Sequence, residues 1–194
     1  MLALAGDVML GRGVSETLDA SRPEKPWGNV LPLLLEADVR MANLECAITQ
    51  HDRPWSRTAK LFHFRANPKA VQVLKAARIE AVSLANNHVL DFEERGLLDT
   101  LQHLSEAGIA YAGAGKNIDE AGRPAIVEAD KLRFGLVAFT DNEPAFAAGH
   151  DRPGTRYLAV STEDKALGSG DRAIRGARAA GADGPVRGRT GNRL

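Results

Sequence analysis

The sequence contains a single cysteine, Cys46, among its 194 residues. An intramolecular disulfide is therefore excluded, and a reducing compartment is the expected setting. Aromatic residues make up only 5% of the chain, too few for a base-stacking surface. Basic and acidic side chains number 25 each, so no excess of one sign points to nucleic acid or to an acidic membrane. No run approaches the roughly 20 apolar residues of a membrane span. The opening residues have neither the basic region nor the apolar core of a signal peptide. A cytoplasmic protein with no transmembrane segment and no nucleic-acid partner is the expectation.

What the sequence does have is a length suited to one domain with a proper core. It also has three short apolar runs that end in polar groups. Residues 2–10 carry Asp7, residues 39–45 end in Glu45, and residues 81–88 end in Asn86-Asn87-His88. If the three runs pair as neighbours, these side chains converge on one sheet edge, where open α/β sheets place their chemistry.

Between these runs the pattern alternates. Residues 2–6 read as a buried strand ended by Gly6-Asp7, and Gly11-Arg12-Gly13 as a flexible, donor-rich turn. Its glycine spacing does not meet the dinucleotide-binding fingerprint. Residues 14–26 read as a short helix plus loop, residues 30–37 as a leucine-dense helix and residues 39–45 as the second strand. Residues 46–66 form an irregular excursion ending in a short strand marked by Phe62, Phe64 and Ala66. Asn67-Pro68 signals a helix start, with the helix running to about residue 78. Residues 80–85 are the third strand. Asp91 with Glu94 reads as a capping-box-like start to a helix whose apolar stripe is Leu97, Leu98, Leu101 and Leu104, ended by Gly108. Residues 109–111 read as a strand, residues 112–115 as a turn, and residues 124–128 and 132–139 as a hairpin. Residues 140–156 read as a polar loop and residues 157–160 as a last strand. The alternation argues for an α/β layered fold with a largely parallel sheet.

From Gly168 the character changes. The segment has six arginines, no aromatic residue and almost no bulky aliphatic one. It cannot bury enough apolar surface to offset its ordering entropy. The expected organisation is one domain over residues 1–165, followed by a disordered Arg/Gly/Ala-rich tail over residues 166–194.

Asp7, Glu45, Asn87 and His88 supply oxygen and nitrogen donors suited to a divalent ion such as Mn, Mg, Zn or Fe. Such an ion polarises a phosphoryl or carbonyl oxygen and acidifies a bound water. Each residue alone has a bland reading as a turn, a cap or a hydrogen-bonded structural group; the set at three strand ends is what carries weight. His51, His63, His103 and His150 read as loop or solvated histidines. Cys46, next to Glu45, reads as a small buried residue on the opposite side of its strand.

The stretches Gly6-Asp-Val-Met-Leu-Gly-Arg12, Asn43-Leu-Glu45 and Ser83-Leu-Ala-Asn-Asn-His88 with Asp91 resemble the CapA family. That family is named for poly-gamma-glutamate capsule synthesis and is related to the calcineurin-like metallophosphoesterases. Residues 60–64, Asn67-Pro68, Gly113-Ala-Gly115 with Asn117, and residues 120–124 match in register. The resemblance implies a layered phosphoesterase-like sandwich, incomplete at its C-terminal end. It implies Asp7 as a ligand of a first metal, Glu45 as a bridging carboxylate and Asn87 as a ligand of a second metal. His88 would face the substrate as proton donor or charge stabiliser, with Arg12, Asn43 and Asn86 on the substrate side. The implied substrate is an anionic polymer or a phosphorylated small molecule, and capsule synthase subunits are implied partners.

Two departures qualify this. Met9 stands where the phosphoesterases carry a histidine, and no histidine follows His150, so the family's later imidazole segments are not matched. The motif resemblance stops near Glu163. The expectation is a truncated or frameshifted product whose site is impaired, with a non-catalytic accessory or scaffold protein as the alternative.

Overall fold

The computed structural model describes residues 1–18, 20–129 and 132–160. The expected tail over residues 166–194 lies outside the described residues. The chain runs through β1 (Leu2–Val8), α1 (Gly13–Thr17), a 3₁₀ turn (Lys25–Val30), α2 (Leu31–Leu35) and β2 (Val39–Leu44). It continues with β3 (Ala47–Ile48), β4 (Arg65–Ala66), α3 (Ala70–Ala76), β5 (Ala81–Ser83) and α4 (Glu93–Glu106). After these come β6 (Ala110–Ala112), β7 (Ala114–Gly115), α5 (Ile118–Ala121), β8 (Ala125–Ala129), β9 (Leu132–Leu136) and β10 (Gly154–Thr155).

The fold is α/β, built on a four-stranded parallel sheet in the order β1-β2-β5-β6. The first three strands are the three apolar runs of the sequence. Their shared direction puts Asp7, Glu45 and residues 86–88 at one end of the sheet. Each crossover runs through helical structure, as parallel pairing requires.

One side of this sheet is buried by α3 and α4. Val73, Leu74, Leu97, Leu101 and Leu104 are essentially inaccessible, together with Leu44, Val82 and Leu84 from the strands and the turn after them. Leu98, expected in the same stripe, is only half-buried at its margin. Thr100 lies on that same buried face. Its hydroxyl donates to the Gly96 carbonyl at 2.7 Å and accepts from the Ile48 amide at 2.8 Å, tying α4 to β3. The other side of the sheet holds a smaller cluster of Val39, Met41, Ala81 and Val127, contributed partly by the β8–β9 hairpin.

Several expectations are corrected. The first strand continues through Gly6-Asp7 to Val8, and it is not buried throughout: Leu4 is 71% exposed on the sheet's edge strand. The expected turn at residues 112–115 instead holds β7, which pairs antiparallel with β10 inside the segment read as a polar loop. Residues 157–160 form no strand; Tyr157 makes only an isolated bridge to Thr140. The helix after Asn67-Pro68 spans Ala70–Ala76, and Asn67 Oδ1 accepts from the Lys69 amide at 3.0 Å ahead of it. The helix after Asp91 has Phe92 at its N-cap and no side-chain cap bond, because Asp91 is used elsewhere.

Candidate functional site

A register shift on the edge strand aims the first carboxylate. Leu2, Ala3 and Leu4 pair with Val39, Arg40 and Met41, but Asp7 pairs with Asn43. One extra residue is absorbed between Leu4 and Asp7. Without it Asp7 would stand opposite Leu44 and its side chain would turn to the other face.

Asn43 then acts as a bracket. Its Nδ2 donates to Asp7 Oδ1 at 2.9 Å and also to Glu45 Oε2, so one amide holds both carboxylates. Burial pushes the Glu45 carboxyl above its ordinary range; the Asn43 hydrogen bond and His88 oppose the shift, and the charges of Asp7 and Asp91 add to it. Among the described residues neither Asp7 nor Glu45 pairs with a lysine or an arginine.

Asn86 fixes the turn that follows β5. Its Oδ1 accepts from the amides of His88 and Val89, each at 3.0 Å. Its Nδ2 donates to Asn43 Oδ1 at 3.0 Å and to the Leu44 carbonyl at 2.8 Å. Both donors and both acceptor positions of this buried amide are used. Asn86, expected on the substrate side, therefore has no free hydrogen-bonding capacity there and holds the turn instead.

The turn presents His88, which is buried. Its Nδ1 lies 2.6 Å from Asp91 Oδ2, and that same oxygen accepts from the Phe64 amide at 2.6 Å. A carboxylate oxygen accepts, so Nδ1 carries the proton in the neutral ring and Nε2 presents its lone pair. Nε2 faces Glu45 Oε1 at 3.9 Å. Phe64 stacks on the imidazole with ring centroids 4.1 Å apart. Asp91, read from the sequence as a helix cap, is thus fully buried and orients the histidine. The carboxylate–imidazole pair is the arrangement that fixes a histidine tautomer in metal and acid–base sites alike.

Asn87 is half-buried between Asn86 and His88, and its carbonyl accepts from Lys60 Nζ at 2.6 Å. The Lys60 side chain is nearly inaccessible, with Asp91 Oδ1 at 3.4 Å and Glu143 Oε1 at 3.6 Å. Neither its burial nor its partners are legible in an irregular segment that lacks periodicity. Arg12 is exposed, with a backbone φ of 53° that few non-glycine residues adopt. With Arg65, Thr49, Gln50 and Asn67 it lines a polar cleft of about 380 Å³. The cleft's wall depends on Gly11, where a Cβ would come within 2.9 Å of the Arg65 carbonyl oxygen. His51 and His63 bond locally in the excursion: the His51 carbonyl accepts from Arg65 at 2.9 Å, and His63 Nε2 lies 3.1 Å from the Trp55 carbonyl.

The donors near the strand ends are of the kind hard and borderline divalent ions take: two carboxylates, an imidazole nitrogen and amide oxygens. Among the described residues no three His, Cys, Asp or Glu side chains group tightly enough to hold an ion by themselves.

Comparison with known proteins agrees with this layout of motifs. The bacterial capsule synthesis protein PGA_cap family matches residues 1–186, past the point near Glu163 where the motif resemblance stops. Capsule biosynthesis protein CapA of Bacillus anthracis is 30% identical over 149 residues, which cover 76% of this chain and 36% of that protein. A probable polyglutamine synthesis accessory protein of Mycobacterium tuberculosis is 34% identical, over 78% of this chain and 49% of its own length. PGA biosynthesis protein CapA of Bacillus subtilis is 26% identical, over 78% of this chain and 40% of its own. The chain thus spans less than half the length of these relatives. On the breadth of the family match and on these identities, this chain belongs to the bacterial capsule synthesis (PGA_cap, CapA-like) family.

Proposed function

We propose that the end of the parallel sheet carries a metal-dependent, phosphoesterase-like hydrolase site that serves the handling of a poly-gamma-glutamate-type capsule polymer. The observation that supports this most is the fixed imidazole. His88 Nδ1 is held by Asp91 at 2.6 Å, while Nε2 is turned toward Glu45 at 3.9 Å.

In this reading Asp7, Glu45 and Asn87 hold a divalent ion: Mn, Fe, Zn or Mg. When bound, the ion would polarise a phosphoryl or acyl oxygen and acidify a water. The protein's own groups do the rest. Asn43 keeps the two carboxylates side by side, and Asn86 fixes the turn so that His88 stands beside them. Asp91 holds the Nδ1 proton, so Nε2 is the atom that accepts or donates a proton at the reacting group. Arg12, on the rim of the polar cleft, binds an anionic group of the substrate, an anionic polymer or a phosphorylated small molecule.

The test is turnover of an aryl phosphate with added Mn, in the parent protein and in Asn87→Ala and His88→Ala. Loss of turnover in both variants supports the enzyme. A second reading is favoured by the looseness of the donor set: an accessory protein that uses the same sheet end to hold an anionic polymer or a capsule synthase subunit without chemistry. No turnover, with capture of such a partner intact in both variants, supports that reading instead.

A further inference from the structure

The buried lysine beside the histidine turn has no part in the reading above. Lys60 arrives from the irregular excursion, and its side chain is 6% exposed. Its Nζ donates to the Asn87 carbonyl at 2.6 Å, stands 3.4 Å from Asp91 Oδ1 and 3.6 Å from Glu143 Oε1, and lies 5.5 Å from the Phe146 ring centroid. Asp91 is wholly inaccessible, and its Oδ1 has no hydrogen-bond partner among the described residues. Its Oδ2 is occupied by Phe64 and His88.

A buried carboxylate with one oxygen unbonded is costly unless a cation balances it. Lys60 is that cation. Its position is also geometric: one ammonium grips the carbonyl just before His88 and the carboxylate three residues after it. The turn that carries the imidazole is thereby clamped at both ends. With so little exposure, and with its contacts turned inward, the ammonium is not placed to meet a substrate.

We propose that Lys60 is a positioning residue that sets the tautomer and orientation of His88 through Asp91. This rests on the reading of His88 as the proton-handling group, but the primary measurement does not require turnover. Long-range ¹H–¹⁵N correlation of the histidine rings, with His88 assigned through His88→Gln, reports the tautomer of the neutral imidazole at a single alkaline pH. The parent protein is expected to show the proton on Nδ1. Lys60→Met is expected to give a mixture of tautomers, and Lys60→Arg to keep the parent pattern. Asp91→Asn is expected to disturb the ring similarly, with no further change in the Lys60→Met/Asp91→Asn double variant.

A parent ring protonated on Nε2 overturns the proposal without any variant, so a Lys60→Met protein that fails to fold does not rescue it. An unchanged Nδ1 tautomer in folded Lys60→Met also overturns it. If the aryl phosphatase activity is found, Lys60→Met is expected to lower kcat roughly tenfold with KM unchanged; a change in KM alone contradicts the positioning role. Altered tautomer without any turnover leaves Lys60 as assigned and counts against the hydrolase reading alone.

Discussion

Phe64 and His88 are stacked, with ring planes 25° apart and centroids 4.1 Å apart. The phenylalanine comes from the excursion and the histidine from the turn after β5, so the contact joins two segments distant in sequence. Together with the Phe64 amide bonding to Asp91, it leaves the imidazole few orientations. Phe64→Leu keeps the amide and an apolar side chain but removes the stacked ring. The expected result is a loss of roughly 1 kcal/mol in urea unfolding, in the range measured for aromatic pairs, with broadened His88 ring signals.

Asp91 separates two accounts of the same residue. As a helix cap, its replacement by alanine costs about 1 kcal/mol. As a buried carboxylate facing Lys60, His88 and the Phe64 amide, its loss removes the nearer of the two carboxylates that balance the ammonium and leaves only Glu143 at 3.6 Å, an effect of about 3 kcal/mol, the lower end of the range for breaking a buried pair. Denaturant melts of Asp91→Ala are expected to show the larger loss, with Asp91→Asn falling between.

Glu45 ties stability to pH. Its carboxyl is raised from the ordinary 4.5, chiefly by burial, so near that pH the folded state binds more protons than the unfolded chain. Stability then falls as pH rises from 4.5 through the raised value and stays on a lower plateau above it. Glu45→Gln keeps an acceptor for Asn43 and removes the buried charge. In chelator-treated protein it is expected to raise Tm at neutral pH, a gain that vanishes toward pH 4. Equal melting of the two proteins across this range contradicts the assignment.

Cys46 sits beside this glutamate and is wholly inaccessible. Burial pushes its thiol up to about 12. Ellman's reagent at pH 8 is expected to leave the folded protein unlabelled and to titrate one thiol after denaturation. Fast labelling of the native protein contradicts the described packing around β2 and β3.

How much of this was legible in the sequence follows from what each feature depends on. The leucines of α4 and the apolar runs of β2 and β5 show themselves by periodicity, and the hairpin of β8 and β9 by two apolar runs around a polar break. The convergence of Asp7, Glu45 and His88 followed from three strand ends that proved to be neighbours. The pairing of β7 with β10 was hidden because each strand is two residues long and lies in glycine-containing chain. Gly113, at φ 90° and packed against Ala85, makes the turn into β7. The exposed edge at Leu4 was hidden because an apolar residue does not declare which face is covered. Asp91 was misread because the pattern that starts a helix is the same whether the carboxylate caps it or turns inward. Lys60 acquires its role only from residues 27 to 83 positions away.

The central claim is that the acidic and amide side chains at the end of the sheet hold a divalent ion. Calorimetric titration of Mn²⁺ into chelator-treated protein, beside Asp7→Asn/Glu45→Gln, tests it most directly. Saturable binding in the parent protein that is lost in the double variant is the predicted result. No binding to the parent protein, or an isotherm unchanged in the variant, would contradict it.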